Sequence, residues 1–106
     1  MSASDVVVVL VTAPPAEAPG LARTLVDERL AACVSLLPGV TSVYRWGGRV
    51  HEDGETLLVA KTSREGSAAL IRRVQEVHSY DVPECIAIPV ASGLPAYLDW
   101  VIHEIR

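Results

Sequence analysis

The sequence predicts an α+β domain of the ferredoxin-like type, a βαββαβ sandwich with a long β-hairpin and one further helix at the C-terminus. Three observations carry this prediction. An uninterrupted β-branched run, VVVVLVTA, comes early; two strand-period runs of 14 residues each meet at Gly47-Gly48; and stretches of helical spacing follow the first and third of these strands. Two β-α-β halves joined by a hairpin give one sheet in the order 4-1-3-2 with helices on one face.

Val6 to Ala13 is apolar at every position but Thr12, as expected for a central strand covered on both faces. The following PPAEAPG suits a loop and a first helical turn, where a missing N–H costs nothing. Leu21, Ala22, Leu25, Val26 and Leu30 then repeat at helical spacing, so the first helix should end near Arg29 or Leu30.

From Cys33 the period becomes that of strands. Cys33 to Trp46 and Arg49 to Thr62 form the limbs of a hairpin whose Gly-Gly link accepts the positive φ of a tight turn. Pairing Trp46 with Arg49 sets Gly39 opposite Thr56 and Gly54 opposite Thr41, which predicts bulges or a bend there. A limb of this length extends roughly 46 Å at about 3.3 Å per residue. A compact domain of this size is only roughly 33 Å across. Part of the hairpin must therefore project, and its Val43, Tyr44, Trp46 and Val50 need cover, most simply from another copy of the chain.

Ser63 is the expected cap of a second helix carrying Leu70, Ile71, Val74, Val77 and His78 and ending near Ser79, before Pro83. The fourth strand reads ECIAIPV. A third helix follows in GLPAYLDWVIHEIR, through Arg106, with Leu94, Tyr97, Leu98, Val101, Ile102 and Ile105 as its apolar positions.

The 106 residues fit a single domain, 1-106, with one core. Half of them are hydrophobic and 21% charged, a balance that favours folding over disorder. A net charge of -4 offers no electrostatic basis for binding nucleic acid. The apolar run at Val6 lacks a basic flank and is too short to span a bilayer, so neither a membrane nor export is expected. Cys33 and Cys85 should be free thiols, on opposite edge strands of the expected sheet, in a reducing, cytoplasmic setting.

His78, Asp81, Glu84 and Cys85 lie close together in EVHSYDVPECIAIPV, but without the paired spacings that make metal sites readable. Glu84 and Cys85 are neighbours on a strand and point to opposite faces. His78 reads either as a metal ligand or as a helix C-terminus residue that covers the core. His51, Glu52 and Asp53 read as a solvated strand end. No G-x-S-x-G, phosphate-binding glycine loop or spaced carboxylate pair calls for an enzyme. Tyr44, Trp46, Lys61, Tyr80, Glu84 and Trp100 stand near strand and helix ends, where a cleft between subunits could gather them for a ligand or simply pack them.

Several separated strings, in order along nearly the whole chain, resemble the CutA divalent-cation tolerance proteins: VTAP (Val11 to Pro14), ERLAACV (Glu28 to Val34), SVYRWGG (Ser42 to Gly48), LLVAKT (Leu57 to Thr62), VHSYDVPE (Val77 to Glu84) and AYLDW (Ala96 to Trp100). The resemblance implies a homotrimer similar to PII signalling proteins, a role in tolerance of copper and other divalent cations, and Cu(II) or another divalent cation as ligand. Positions that the family links to copper fall here on Val11, Val77 and His78, of which only His78 offers a ligating side chain. A PII-like module that binds a small anion or a partner protein in the intersubunit cleft, with Lys61 supplying positive charge, is the alternative.

Overall fold

The early apolar run forms β1 (Val6–Ala13), at the centre of the sheet. After it come α1 (Ala18–Asp27), β2 (Cys33–Trp46), β3 (Arg49–Ser63), α2 (Ser67–Val77), β4 (Cys85–Pro89) and α3 (Pro95–Glu104). The computed structural model describes residues 5–105, so both ends of the expected 1-106 domain, and Arg106 of the third helix, lie outside the described residues. The strand order β2-β3-β1-β4 is the expected one, and every pairing is antiparallel.

Strand parity explains the core. Val7, Val9, Val11 and Ala13 share one face of β1 and pack with Leu58 and Ala60 of β3 against Leu21, Ala22 and Leu25 of α1 and Leu70 and Val74 of α2. Leu25, Leu58 and Leu70 are fully buried, each worth about 1.5–3 kcal/mol by transfer. Arg73 of α2 forks onto Glu28 at 2.9 Å, which holds the Glu28 carboxyl below the usual range.

Three details depart from the sequence-based expectation. Helix α1 stops at Asp27, because Arg29 turns left-handed (φ 59) and the Leu30 and Ala31 N–H groups both return to the Leu25 carbonyl. Ser63 ends β3 instead of capping α2, and its hydroxyl accepts the Gly66 N–H at 2.8 Å to close the turn before the helix. Helix α3 does not join the other two: Leu98, Val101 and Ile102 pack on Val6, whose side chain is on the opposite face from Val7.

The hairpin turns at Gly47 (φ 61) and Gly48 (φ 77), with Trp46 opposite Arg49 and Thr41 opposite Gly54 as expected. Its break is a bulge at Pro38-Gly39, where the register shifts between Leu37 and Val40 and Gly39 takes φ 79. An unbroken register would set Cys33 opposite Thr62, and the bulge moves it to Lys61. The hairpin does project, giving the molecule a long axis of 44 Å against 25 and 22 Å across.

Away from α3, no element among the described residues covers the sheet face opposite α1 and α2. Ile88, Val8 and Lys61 lie side by side across it, as do Ile86, Leu10 and Val59. Ile86 and Ile88 are 52% and 46% exposed, although they sit in the middle of a strand.

Candidate functional site

A cavity of about 700 Å³ opens where the projecting half of the hairpin, the end of β1 and the loop after α2 meet. Cross-strand pairing puts Ser42, Tyr44 and Trp46 of β2 on the same hairpin face as Asp53 and Glu55 of β3, since Ser42 stands opposite Asp53 and Val40 opposite Glu55. Thr12 closes one side, and Ser79, Tyr80, Asp81, Val82 and Glu84 close the other.

His78 positions that second wall. It ends α2 with an extended backbone (φ -76, ψ 144) while its N–H still reaches the Val74 carbonyl at 2.8 Å. The ring is 8% exposed, and both of its nitrogens are engaged. Nδ1 accepts the Tyr80 N–H at 3.1 Å, which leaves Nε2 as the protonated nitrogen, and Nε2 donates to the Thr12 carbonyl at 2.8 Å. The imidazole thus ties the loop to the end of β1. To coordinate a metal it must first give up one of these bonds.

Tyr80 lies against the His78 ring, with centroids 4.7 Å apart, and donates its hydroxyl to Glu55 Oε2 at 3.0 Å. Burial, and then the Glu55 carboxylate, push the Tyr80 phenol up to about 12. Tyr44 donates to Asp53 Oδ2, which raises its own phenol, and its ring stacks on His51 at 5.4 Å. Ser79 bonds back to the Glu17 carboxylate through both its N–H and its hydroxyl, anchoring the loop to the segment before α1.

Of the residues singled out from sequence, Tyr44, Trp46, Tyr80 and Glu84 come together in this cavity. Lys61 does not line it. Its ammonium donates to Ser35 Oγ at 2.8 Å and to the Val59 carbonyl on the uncovered sheet face. Trp100 lies on α3, paired with Tyr97 at 5.7 Å. Glu84 and Cys85 diverge as strand parity requires: Glu84 lines the cavity while Cys85 packs against the core, where burial pushes its thiol up to about 11. Cys33 and Cys85 are both free.

Sequence reasoning missed Glu55 and the part Asp53 plays. The signal was present in the hairpin register, because once Trp46 faces Arg49, every second residue of both limbs shares a face with Tyr44. Among the described residues, no group of three His, Cys, Asp or Glu side chains is placed to hold a metal ion. Nor is any helix among them long and apolar enough to cross a membrane.

Comparison with known proteins agrees with this architecture. The model of the family described as CutA1 divalent ion tolerance protein matches residues 7–104. A divalent-cation tolerance protein CutA of Thermus thermophilus is 52% identical over 95 residues, covering 89% of this chain and 92% of the relative. The crystal structure of CutA from Xylella fastidiosa superposes with a TM-score of 0.94 at 44% identity, covering 97% of this chain and all of that one. A structure from Nostoc sp., titled a PII-like protein CutA, gives a TM-score of 0.90 at 37% identity over 94% of this chain and 97% of its own. Against plant and mammalian relatives, the chain spans about half of their length.

Proposed function

Because this chain belongs to the CutA1 divalent ion tolerance family, we propose that it acts as a homotrimer in tolerance of and response to divalent cations. It binds Cu(II) weakly at clefts between subunits, resides in the cytoplasm and catalyses no reaction. The observation that carries the trimer is the uncovered sheet face: Ile86 and Ile88 stand exposed beside Val8, Leu10 and Val59, next to a hairpin that projects with Val43 and Val50 in solvent. Apolar surface of this kind is stabilised by burial against further copies.

The clefts of such a trimer are the places where one chain's donors can be completed by another's. The cavity brings Asp53, Asp81 and Glu84 to its surface, with His78 behind them. Copper(II) favours several nitrogen and oxygen donors in a tetragonal arrangement, and a partial set from one chain supports only weak binding. If His78 takes part, it exchanges the Tyr80 N–H for the ion. The PII-like alternative with a small anion has no support from the cavity, since Lys61 is not among its lining residues.

Size-exclusion chromatography with light scattering tests the assembly, and a mass of three chains is expected. Calorimetric titration of the assembled protein with CuCl2 tests the ion. A saturable heat that weakens in both His78→Ala and Glu84→Gln supports the reading. A stable monomer ends the trimer, and copper binding indifferent to both substitutions ends the cleft site.

A further inference from the structure

The cavity has a composition that suits an anion poorly and offers a metal ion only a partial set of donors from one chain. Asp53, Glu55, Asp81 and Glu84 line it without any Lys, Arg or His among the described residues, so an anion is repelled. A divalent ion needs several converging donors, which the described residues lack, and it gains little from aromatic walls. Tyr44, Trp46 and Tyr80 nevertheless supply such walls to a space of about 700 Å³, the size of a small-molecule site.

Glu55 is an independent indication. Its side chain is 5% exposed, and no Lys, Arg or His among the described residues forms an ion pair with it. Oε2 takes the Tyr80 hydroxyl, while Oε1 takes no bond from the described residues and keeps some accessible surface beside the cavity that Glu55 lines. A carboxylate this buried pays for its lost hydration, and one neutral phenol offsets only part of that cost.

We infer that this cavity binds a small organic cation of the alkylammonium class, its charge held on Glu55 Oε1 and its carbons against Tyr44, Trp46 and Tyr80. The ammonium supplies the counter-charge that Glu55 lacks, and the aromatic faces attract the cation and its alkyl groups alike. Tyr80 holds the carboxylate in place from the far side, and Tyr44 is fixed by Asp53 and His51. The residues named here all belong to one chain, and the inference requires no metal.

The test is isothermal titration calorimetry on the full-length protein in its native assembly, at neutral pH and low salt, with n-butylammonium chloride and, as the neutral counterpart, n-butanol. Butylammonium is expected to give a saturable heat that n-butanol at the same concentration does not. Glu55→Gln should weaken binding about tenfold or more, the value of a charged hydrogen bond. Should that variant fail to fold, Trp46→Ala, on the exposed hairpin, should weaken binding about threefold with an unchanged elution volume and circular dichroism spectrum. Absence of a saturable butylammonium heat, equal binding of n-butanol, full displacement by MgCl2 at matched ionic strength, or wild-type affinity in the folded variants overturns the inference.

Discussion

The Tyr80 hydroxyl donates to Glu55 Oε2 at 3.0 Å, and this bond joins the loop after α2 to the base of the projecting hairpin. Glu55 is buried, so the bond offsets part of a desolvation cost that would otherwise stand. Tyr80→Phe is expected to destabilise the protein by about 1–3 kcal/mol. Glu55→Gln keeps a carbonyl acceptor for the phenol and should cost less. Urea denaturation midpoints of Tyr80→Phe, of Glu55→Ala, which removes the acceptor, and of that double mutant measure the coupling; additive effects would show that the bond contributes nothing.

Burial of the Tyr80 phenol, and then the same bond, set a pH dependence. The Tyr80 phenol is raised from 10.0 to about 12 in the folded chain, so the native state holds this proton more tightly than the unfolded state does. Its contribution to stability is complete below pH 10 and is lost as pH rises toward about 12. Phenolate absorbance followed across that range should show Tyr80 titrating late, and Glu55→Gln should bring it earlier.

His78 is expected to act as a structural tie. Removing the ring in His78→Ala strands the Thr12 carbonyl at a buried position and the Tyr80 N–H at a partly buried one, at a cost of about 1–3 kcal/mol. A lowered melting temperature with increased amide exchange at Tyr80 is the expected result. Wild-type exchange would contradict the tie.

Gly39 and Gly54 look equivalent in the sequence but differ in backbone. Neither has a neighbour that an added Cβ would meet, and only Gly39 has positive φ, at 79. Gly39→Ala should therefore cost about 1–2 kcal/mol, from conformation alone. Gly54→Ala should be neutral or stabilising by up to about 1 kcal/mol. Thermal melts of the two variants separate these outcomes.

Ile88 lies on the uncovered face opposite Val8, and its side chain does not contribute to the core under α1 and α2. Ile88→Glu is expected to leave the fold intact and to abolish association, read as a fall in mass by light scattering with an unchanged circular dichroism spectrum. Retention of the wild-type mass would place the interface elsewhere.

Several features were legible in the residues because they depend on neighbours in sequence. The β-branched content of Val6 to Val11 marks a central strand, Gly47-Gly48 marks the turn, and the limb lengths predict the projection, since distance along a strand follows directly from residue count. Divergence of Glu84 and Cys85 follows from the same parity. Ser63 was misread because its hydroxyl can satisfy a turn N–H as readily as a helix N–H, and only the path of β3 distinguishes the two.

The sequence by itself determined the order of elements, the apolar face of each and the strand order, because hydrophobic period and turn chemistry are local properties. Tertiary structure alone decided what His78 and Glu55 do. The bond from His78 to Thr12 crosses 66 positions and that from Tyr80 to Glu55 crosses 25, so neither partner can be read from spacing. It also separated Lys61 and Trp100 from the cavity, since a residue near a strand or helix end can face either side until the sheet is packed, and here one faces the open sheet and the other lies on α3. Burial set the chemistry: the fold took most of Glu55 out of water and gave it no cation among the described residues, and composition alone does not reveal such an imbalance.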